Sequence, residues 1–256
     1  NIRFKNRLKI KYINQVNKEI KIQVDEYGQT AEGSSTYDAF ILELLFISNY
    51  FGVLTQTSQN RFKKLYLNLC NISSSKGYLA PFGDVTLERA FLLDSHEEIL
   101  NRSNLFSLCS KLLKIKVSST SFNSNDLYSI LFFPLSLKKT KEIKIPNIIG
   151  KKQYFVKYND NQKIVVDIDR MSFINRGVHG HFDQGSYVFF DPDLVITDPG
   201  NYLYFSEKEK RKKLISISSH NMTFPLNCEL GLLGKSIFEL LHLNERPFVK
   251  THLNEL

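Results

Sequence analysis

Cysteine is scarce in this chain, and its spacing is typical of neither a disulfide framework nor a metal site. The 256 residues include only Cys70, Cys109 and Cys228. An odd number of widely spaced cysteines predicts no disulfide network and no cysteine-ligated metal. Cys70 and Cys109 fall on apolar stripes, so we expect both to be thiols of the core.

Long apolar runs and an export signal are also missing. The most apolar stretch, 40–47, is interrupted by Glu43 and predicts a buried helix rather than a membrane span. No signal peptide is recognisable. The chain opens at Asn1 within charged, helix-like sequence, so we expect a piece of a longer or processed protein. The missing signal therefore does not indicate a compartment.

What the chain does contain is apolar residues and positive charge. A hydrophobic content of 42% suffices for one large domain or two modest ones, and the net charge is +8. The stretch 136–163 carries eight lysines against two acidic residues, a net +6. It is either a solvated linker or a surface for a polyanion such as an acidic polysaccharide. Nucleic acid is not expected, because no reader motif accompanies the charge.

The first half of the chain is predicted to be helical. Apolar residues recur at helical spacing in three segments, 10–20, 37–51 and 62–70. Ser35 followed by Asp38 resembles a capping box at the start of the second helix, and Gly52 is placed to end it. Further helical patterns cover three segments, roughly 85–99, 104–114 and 125–133.

After Pro134 the pattern changes to short strands separated by turn signals. The predicted strands are 153–158, 163–169, 185–190 and 194–197. Helices followed by strands favour an α+β chain of two domains. We expect a helical portion over 1–135, a Lys-rich linker over 136–152 and a β portion over 153–256.

Side chains that can bind a metal or transfer a proton are densest in the segment 177–186. If this segment is a strand, His179, His181 and Asp183 point to one face because side chains alternate. Asp198, in an Asp-Pro-Gly sequence, and His220 add two candidates on later segments. Each residue alone is typical of a surface histidine, a packed histidine or a turn. Together, they favour a site that binds a metal or moves a proton.

These segments resemble a known family, the heparinase II/III-like polysaccharide lyases. The segment 177–187 is similar to the family's histidine-rich strand, 194–204 to its Asp-Pro-Gly segment and 218–221 to its His-Asn segment. Earlier, 25–38 is similar to the family's acidic helix entry and 76–84 to its Gly-Asp loop. The three later motifs occur in the family's order.

The resemblance covers about residues 25–225. It implies part of an α/α toroid followed by part of an antiparallel β-sandwich, incomplete at both ends. It also implies a periplasmic or cell-envelope location. This fold agrees with the helix-then-strand order, which was inferred without it.

The resemblance further implies a lyase that cleaves an acidic, uronic-acid-containing polysaccharide by β-elimination. The C5 proton is weakly acidic, so the substrate carboxylate must be neutralised while a base and an acid move protons. The alternative is a catalytically impaired glycan-binding or capsule-associated relative. Two departures favour that alternative: a family tyrosine after the Gly-Asp loop is missing, and Ile215 stands where the family has arginine.

Within the resemblance, His179 matches the catalytic histidine, as base or as a partner in carboxylate binding. Glu32 matches the group that neutralises the substrate carboxylate, a role that needs a protonated side chain. Taken alone, Glu32 is equally an acid favoured at a helix N-terminus.

Four further residues are candidates from the same comparison. Tyr78 and Tyr202 are the candidates for the acid or base tyrosine, although aromatic strand residues are usually packing. Tyr37 matches a helix tyrosine near the substrate and is otherwise a core residue. Lys213 is the candidate cation beside the position of the missing arginine.

The resemblance also implies a metal site. His181, Asp198 and His220 match a family trio that binds zinc, and two imidazoles, a carboxylate and a water suit tetrahedral Zn²⁺. We expect a structural role for this metal. Asp183 is placed to orient His181 through a hydrogen bond.

Overall fold

The chain folds into helices followed by a small antiparallel sheet. The computed structural model describes residues 2–87, 89–90, 98–117, 132, 141–143, 148–151, 154–159, 162–167, 179–180, 186–191, 193–201, 208–215 and 219–221. The helices of this part are α1 (Ile2–Gln23), α2 (Ser35–Tyr50), α3 (Gln56–Asn71), α4 (Ser103–Leu113) and α5 (Lys208–Leu214). The strands are β1 (Ile115–Val117), β2 (Lys141–Ile143), β3 (Ile148–Lys151), β4 (Tyr154–Asn159), β5 (Gln162–Asp167), β6 (Tyr187–Asp191) and β7 (Asp193–Ile196).

The helical periodicity correctly predicted α1 to α4, but the start of α2 differs from the prediction. Ser34, not Ser35, is the N-cap, and its hydroxyl accepts a hydrogen bond from the amide of Tyr37. Asp38 accepts instead from the hydroxyl of Thr30, so the predicted capping box is wrong. The predicted end is confirmed, because Gly52 follows the C-cap with a φ of +68°.

The helix predicted over 85–99 is wrong wherever the structure describes it. Residues 85–87, 89–90 and 98–100 are not helical. The amides of Val85, Thr86 and Ala90 are bound by distant side chains rather than by carbonyls of the preceding turn. Val85 donates to Asn201 Oδ1 at 2.6 Å, and Ala90 donates to a carboxylate oxygen of the buried Glu43 at 2.5 Å. The prediction over 125–133 lies largely outside the described residues.

The main sheet has the order β3-β4-β5-β6-β7, and every neighbouring pair is antiparallel. This confirms the predicted strands within a residue or two. Val156, Val165 and Val188 pair in one row across β4, β5 and β6, and all three are buried. β1 and β2 pair in parallel as a separate ribbon. Both β2 and β3 lie within the Lys-rich stretch 136–152.

One apolar core joins the sheet to the helices. The valine row and Phe190 belong to the same buried cluster as side chains of α2, α3 and α4, including Phe46, Phe62 and Phe106. Removal of this apolar surface from water stabilises the contact between the helices and the sheet.

Lys163 is a charged side chain on this largely apolar face of the sheet. It lies on β5, two residues before Val165, and is buried. Its Nζ donates to the carbonyls of Asn71, at 3.0 Å, and Ser73, at the end of α3. It also lies 5.1 Å from the centroid of the Phe190 ring. The sequence analysis counted Lys163 among the charges of a solvated stretch, but its side chain is buried between the sheet and the helices.

Two cysteine predictions are confirmed, since Cys70 and Cys109 are free thiols buried in the core. Burial raises the pKa of the Cys70 thiol to about 12, so this group is inert as a nucleophile. Cys228 lies outside the described residues. Within the described residues, no helix is long and apolar enough to cross a membrane.

Candidate catalytic site around His179

The site begins where the loop around Asp84 docks on the first turn of α2. The hydroxyls of Ser34 and Thr36 both donate to the carbonyl of Asp84, at 2.7 and 3.0 Å. Gly83 makes this approach possible: its φ is +70°, and a Cβ there would lie 2.2 Å from the carbonyl oxygen of Gly33. The loop is therefore fixed against the helix N-terminus by polar contacts and by the absence of a side chain.

His179 lies between this loop and the chain that leads into α2. Its amide donates to the carbonyl of Glu32 at 2.9 Å, and its carbonyl accepts from the amide of Asp84 at 2.7 Å. A Cβ on Gly180 would lie 3.4 Å from the Gly33 oxygen, so the backbones pack closely. His179 and Gly180 do not form a strand, because two separate loops occupy the backbone groups of His179. The strand prediction is wrong at these two residues.

Three side chains of the described residues lie beside the ring of His179. It stacks on the ring of Tyr37, with centroids 3.5 Å apart and an interplanar angle of 4°. Its Nε2 lies 3.8 Å from a carboxylate oxygen of Glu32, and its Nδ1 lies 3.7 Å from Asp84 Oδ2. The His179 side chain is 28% exposed. The ring is thus oriented by the protein and still open to a ligand.

Arg211 completes the polar cluster from α5. Its guanidinium spans both carboxylate oxygens of Asp84, at distances of 3.2 to 3.4 Å. Sequence reasoning missed both residues of this ion pair. Asp84 was visible as the last residue of the Gly-Asp loop. Arg211 was hidden in a run of charges that is typical of a solvated helix face.

A second polar pair lies on the later segments. His220 Nδ1 contacts both carboxylate oxygens of Asp198, at 2.8 and 3.0 Å, and both side chains are fully buried. Asp198 Oδ1 also accepts from the amide of Gly200 at 2.8 Å. Asn221 bonds both backbone groups of Tyr187 and so attaches the histidine segment to β6. Two of the three predicted metal ligands are therefore brought together.

The donor chemistry of this pair fits zinc as far as the structure describes it. A buried carboxylate in contact with an imidazole can supply two of the ligands that Zn²⁺ prefers. The third, His181, and its predicted partner Asp183 lie outside the described residues. Among the described residues, no three histidine, cysteine or acidic side chains form a metal-binding group. The zinc site stays a prediction.

The remaining candidates are placed elsewhere or outside the described part. Tyr78 lies in the loop after α3, where its amide and carbonyl bond Ser74 and its backbone pairs with Asn101. Lys213 is exposed on α5, and its carbonyl accepts from the hydroxyl of Ser219 at 2.6 Å. Tyr202 lies outside the described residues. The structure therefore brings together Glu32, Tyr37 and His179 of the predicted set.

This combination of helices, sheet and site defines a heparinase-like fold. The structure is similar to the solved heparinase III BT4657 gene product, with a TM-score of 0.57 and 21% identity, over 82% of this chain and 32% of that chain. It is also similar to the heparan sulfate lyase HepC from Pedobacter heparinus, with a TM-score of 0.54 and 16% identity, over 81% of this chain and 31% of that chain. The heparinase-like fold expected from the sequence motifs is confirmed, whereas the α/α toroid and the β-sandwich stay predictions.

Comparison by sequence alone found no match. No protein-family model matches the chain, and no curated protein matches it significantly. The chain spans about a third of the length of the heparinases that it resembles. Identities of 13 to 21% over that third show a shared fold and leave the reaction to be argued from the site.

Proposed function

We propose that this chain is part of a polysaccharide lyase that cleaves a uronic-acid-containing polysaccharide by β-elimination. The observation that carries this proposal is the oriented, partly exposed ring of His179 between Glu32 and Asp84, on a heparinase-like fold. In the proposed architecture, the helices are part of an α/α toroid and the sheet is part of a β-sandwich. A periplasmic or cell-envelope location belongs to the same proposal.

His179 is the proposed base for the C5 proton. A general base needs a fixed orientation and access to its substrate. Stacking on Tyr37 fixes the plane of the ring, and the two backbone hydrogen bonds of His179 fix its position. Its exposed fraction gives the access. Histidine suits the role because its charge changes near neutral pH.

Glu32 is the proposed partner of the substrate carboxylate. Its side chain is 27% exposed and lies beside the Nε2 of His179. In the protonated form it can donate a hydrogen bond to the uronate, which lowers the cost of the enolate-like charge. In the ionised form it repels the uronate, so the protonated form is the one that binds substrate.

The acid that protonates the leaving oxygen is proposed among the tyrosines. Tyr78 and Tyr202 are the candidates from the sequence motifs, and Lys213 is a candidate contact to the polyanion. Zn²⁺ held by His181, Asp198 and His220 would stabilise the β portion near the site. The bound ion would supply a fixed positive charge that holds its ligands together, and it would take no part in the reaction.

A catalytically impaired glycan-binding relative is the second candidate. It is favoured by one observation: two carboxylates, from Glu32 and Asp84, face the two nitrogens of His179. Negative charge at that place opposes a uronate carboxylate unless it is neutralised by a proton or by a cation such as Arg211.

The experiment is to incubate the protein with heparin, heparan sulfate or alginate. The ultraviolet absorbance of the unsaturated uronate measures β-elimination. We expect product from at least one polymer, and a loss of about 10²- to 10⁴-fold in His179→Ala. Lys76→Ala, which removes an exposed ion pair with Asp193, is the control and is expected to be fully active.

The outcomes separate the two candidates. Glycan binding without product from the full-length protein favours the impaired relative. Full activity in His179→Ala refutes the assignment of the base. Glu32→Gln imitates the protonated side chain and is expected to stay within about threefold of wild type, whereas Glu32→Ala falls by at least about tenfold.

A further inference from the structure

Asp84 and Arg211 form a unit that the sequence motifs did not connect to the reaction. We propose that this pair is a positioning device that sets the ring orientation and the tautomer of His179. The inference rests on the proposed function only for its effect on activity. Its effect on the ring of His179 is independent of the reaction.

Asp84 is held in place without the help of the His179 ring. Its carbonyl accepts two hydroxyls from the start of α2, and its amide donates to the carbonyl of His179. Its carboxylate is bridged by both terminal nitrogens of Arg211. A group fixed by three different segments can impose an orientation on its neighbour.

Arg211 is the group that makes a buried carboxylate tolerable here. The Asp84 side chain is only 6% exposed, and an unpaired carboxylate in such a place is costly. The planar fork of a guanidinium spans both oxygens and so fixes their direction as well as their charge. α5 buries none of its residues fully, and Arg211 is the residue that reaches into the cluster.

The fixed carboxylate faces the Nδ1 side of His179, at 3.7 Å. A negative charge on that side stabilises the tautomer with its proton on Nδ1, and the carboxylate of Asp84, 6% exposed, is less screened by water than that of Glu32, 27% exposed, on the Nε2 side. The lone pair is then on Nε2, the nitrogen on the side of Glu32. A base oriented by a third group in this way is a general feature of activated catalytic groups. Asp84 therefore selects which nitrogen takes the substrate proton.

The test is nuclear magnetic resonance of protein with isotope-labelled histidine rings. In wild type, we expect the neutral ring of His179 to be mainly the Nδ1–H tautomer. In Arg211→Ala and Asp84→Asn, we expect it to change toward the Nε2–H form that predominates in free histidine. His220, which bonds Asp198, is an internal control whose signals stay unchanged and show that the fold persists.

Arg211→Lys and Lys212→Ala complete the design. Lysine keeps the charge without the fork, so it is expected to recover part of the wild-type tautomer. Lys212 is an exposed neighbour on α5, and its removal is expected to change nothing. An unchanged His179 tautomer in both Arg211→Ala and Asp84→Asn would overturn the proposal.

Activity gives a second, separate readout. In the variants that lose the tautomer, we expect kcat to fall by about tenfold while KM changes by less than about threefold, because substrate contacts remain. An inactive wild-type protein refutes the proposed function, and the ring signals still decide the positioning role. Activity with unchanged ring signals refutes the positioning role alone.

Discussion

The ring of Tyr37 lies parallel to the ring of His179, at a centroid distance of 3.5 Å. Tyr37 is the third residue of α2, and its amide is bound by the hydroxyl of the N-cap residue Ser34. The cap that starts the helix therefore also places the aromatic platform for the histidine. This links a local feature of the sequence to the geometry of the candidate base.

Tyr37→Phe tests whether Tyr37 serves through its ring or through its hydroxyl. The stack survives in the phenylalanine variant, so we expect activity within about threefold of wild type. Tyr37→Ala removes the platform, and we expect a loss of at least about tenfold in kcat. Steady-state kinetics on the polymer that wild type cleaves is the measurement. Equal, severe losses in both variants would instead identify the phenol as a proton-transfer group.

Gly83→Ala tests the close approach between the Asp84 loop and α2. The new Cβ would collide with the Gly33 carbonyl, 2.2 Å away, and would also meet the unfavourable positive φ. Gly52→Ala is the matched control, because Gly52 has nearly the same φ, +68°, and nothing within 4 Å of its Cβ position.

We expect Gly52→Ala to cost about 1 kcal/mol through the backbone alone, and Gly83→Ala to cost at least about 2 kcal/mol more. Chemical denaturation of both variants gives the two free energies of unfolding. Similar losses would show that the loop moves away at little cost and that the docking is loose.

Lys163 predicts a dependence of stability on pH. Burial lowers its pKa to about 7 in the folded protein, whereas an unfolded lysine keeps its proton to about pH 10. Between these values unfolding takes up a proton, so the free energy of unfolding rises with pH by up to about 1.4 kcal/mol per unit. Below the folded pKa both states are charged and this contribution is constant.

Denaturation at about pH 7 and about pH 8 measures this effect. The interval stays below the range where Cys70, whose folded pKa is raised to about 12 by burial, opposes it through ionisation of the unfolded thiol. Lys163→Met keeps the apolar stem and should abolish the rise, while the exposed Lys76→Met should keep it. A rise of equal size in Lys163→Met would assign it to another group.

The metal prediction is tested by elemental analysis of the purified protein. We expect about one zinc per chain in wild type and in His179→Ala, and a loss of zinc in Asp198→Asn and His220→Ala. Chelation should lower the Tm of wild type and leave the Tm of the two ligand variants unchanged. Full zinc content in His220→Ala would remove this residue from the ligands.

The local elements were predictable because their signals lie within short segments. In each of the segments 37–51 and 62–70, apolar residues recur at helical spacing and so lie on one face. Such a segment forms a helix when the rest of the protein covers that face. Short apolar segments separated by turn signals, 163–169 and 185–190, likewise predicted β5 and β6. Motif resemblance also supplied His179, Glu32 and Tyr37 as candidates, since their chemistry and chain order are visible without coordinates.

The tertiary structure decided what depends on partners far apart in the chain. The amides of Val85 and Ala90 are taken by side chains 116 and 47 residues away, which prevents the predicted helix. Arg211 meets Asp84 across 127 residues, and no local pattern separates it from its solvated neighbours. Residue types and periodicity thus determine the elements and the candidate chemistry, whereas only packing brings distant charges together and decides which ones lie beside the ring of His179.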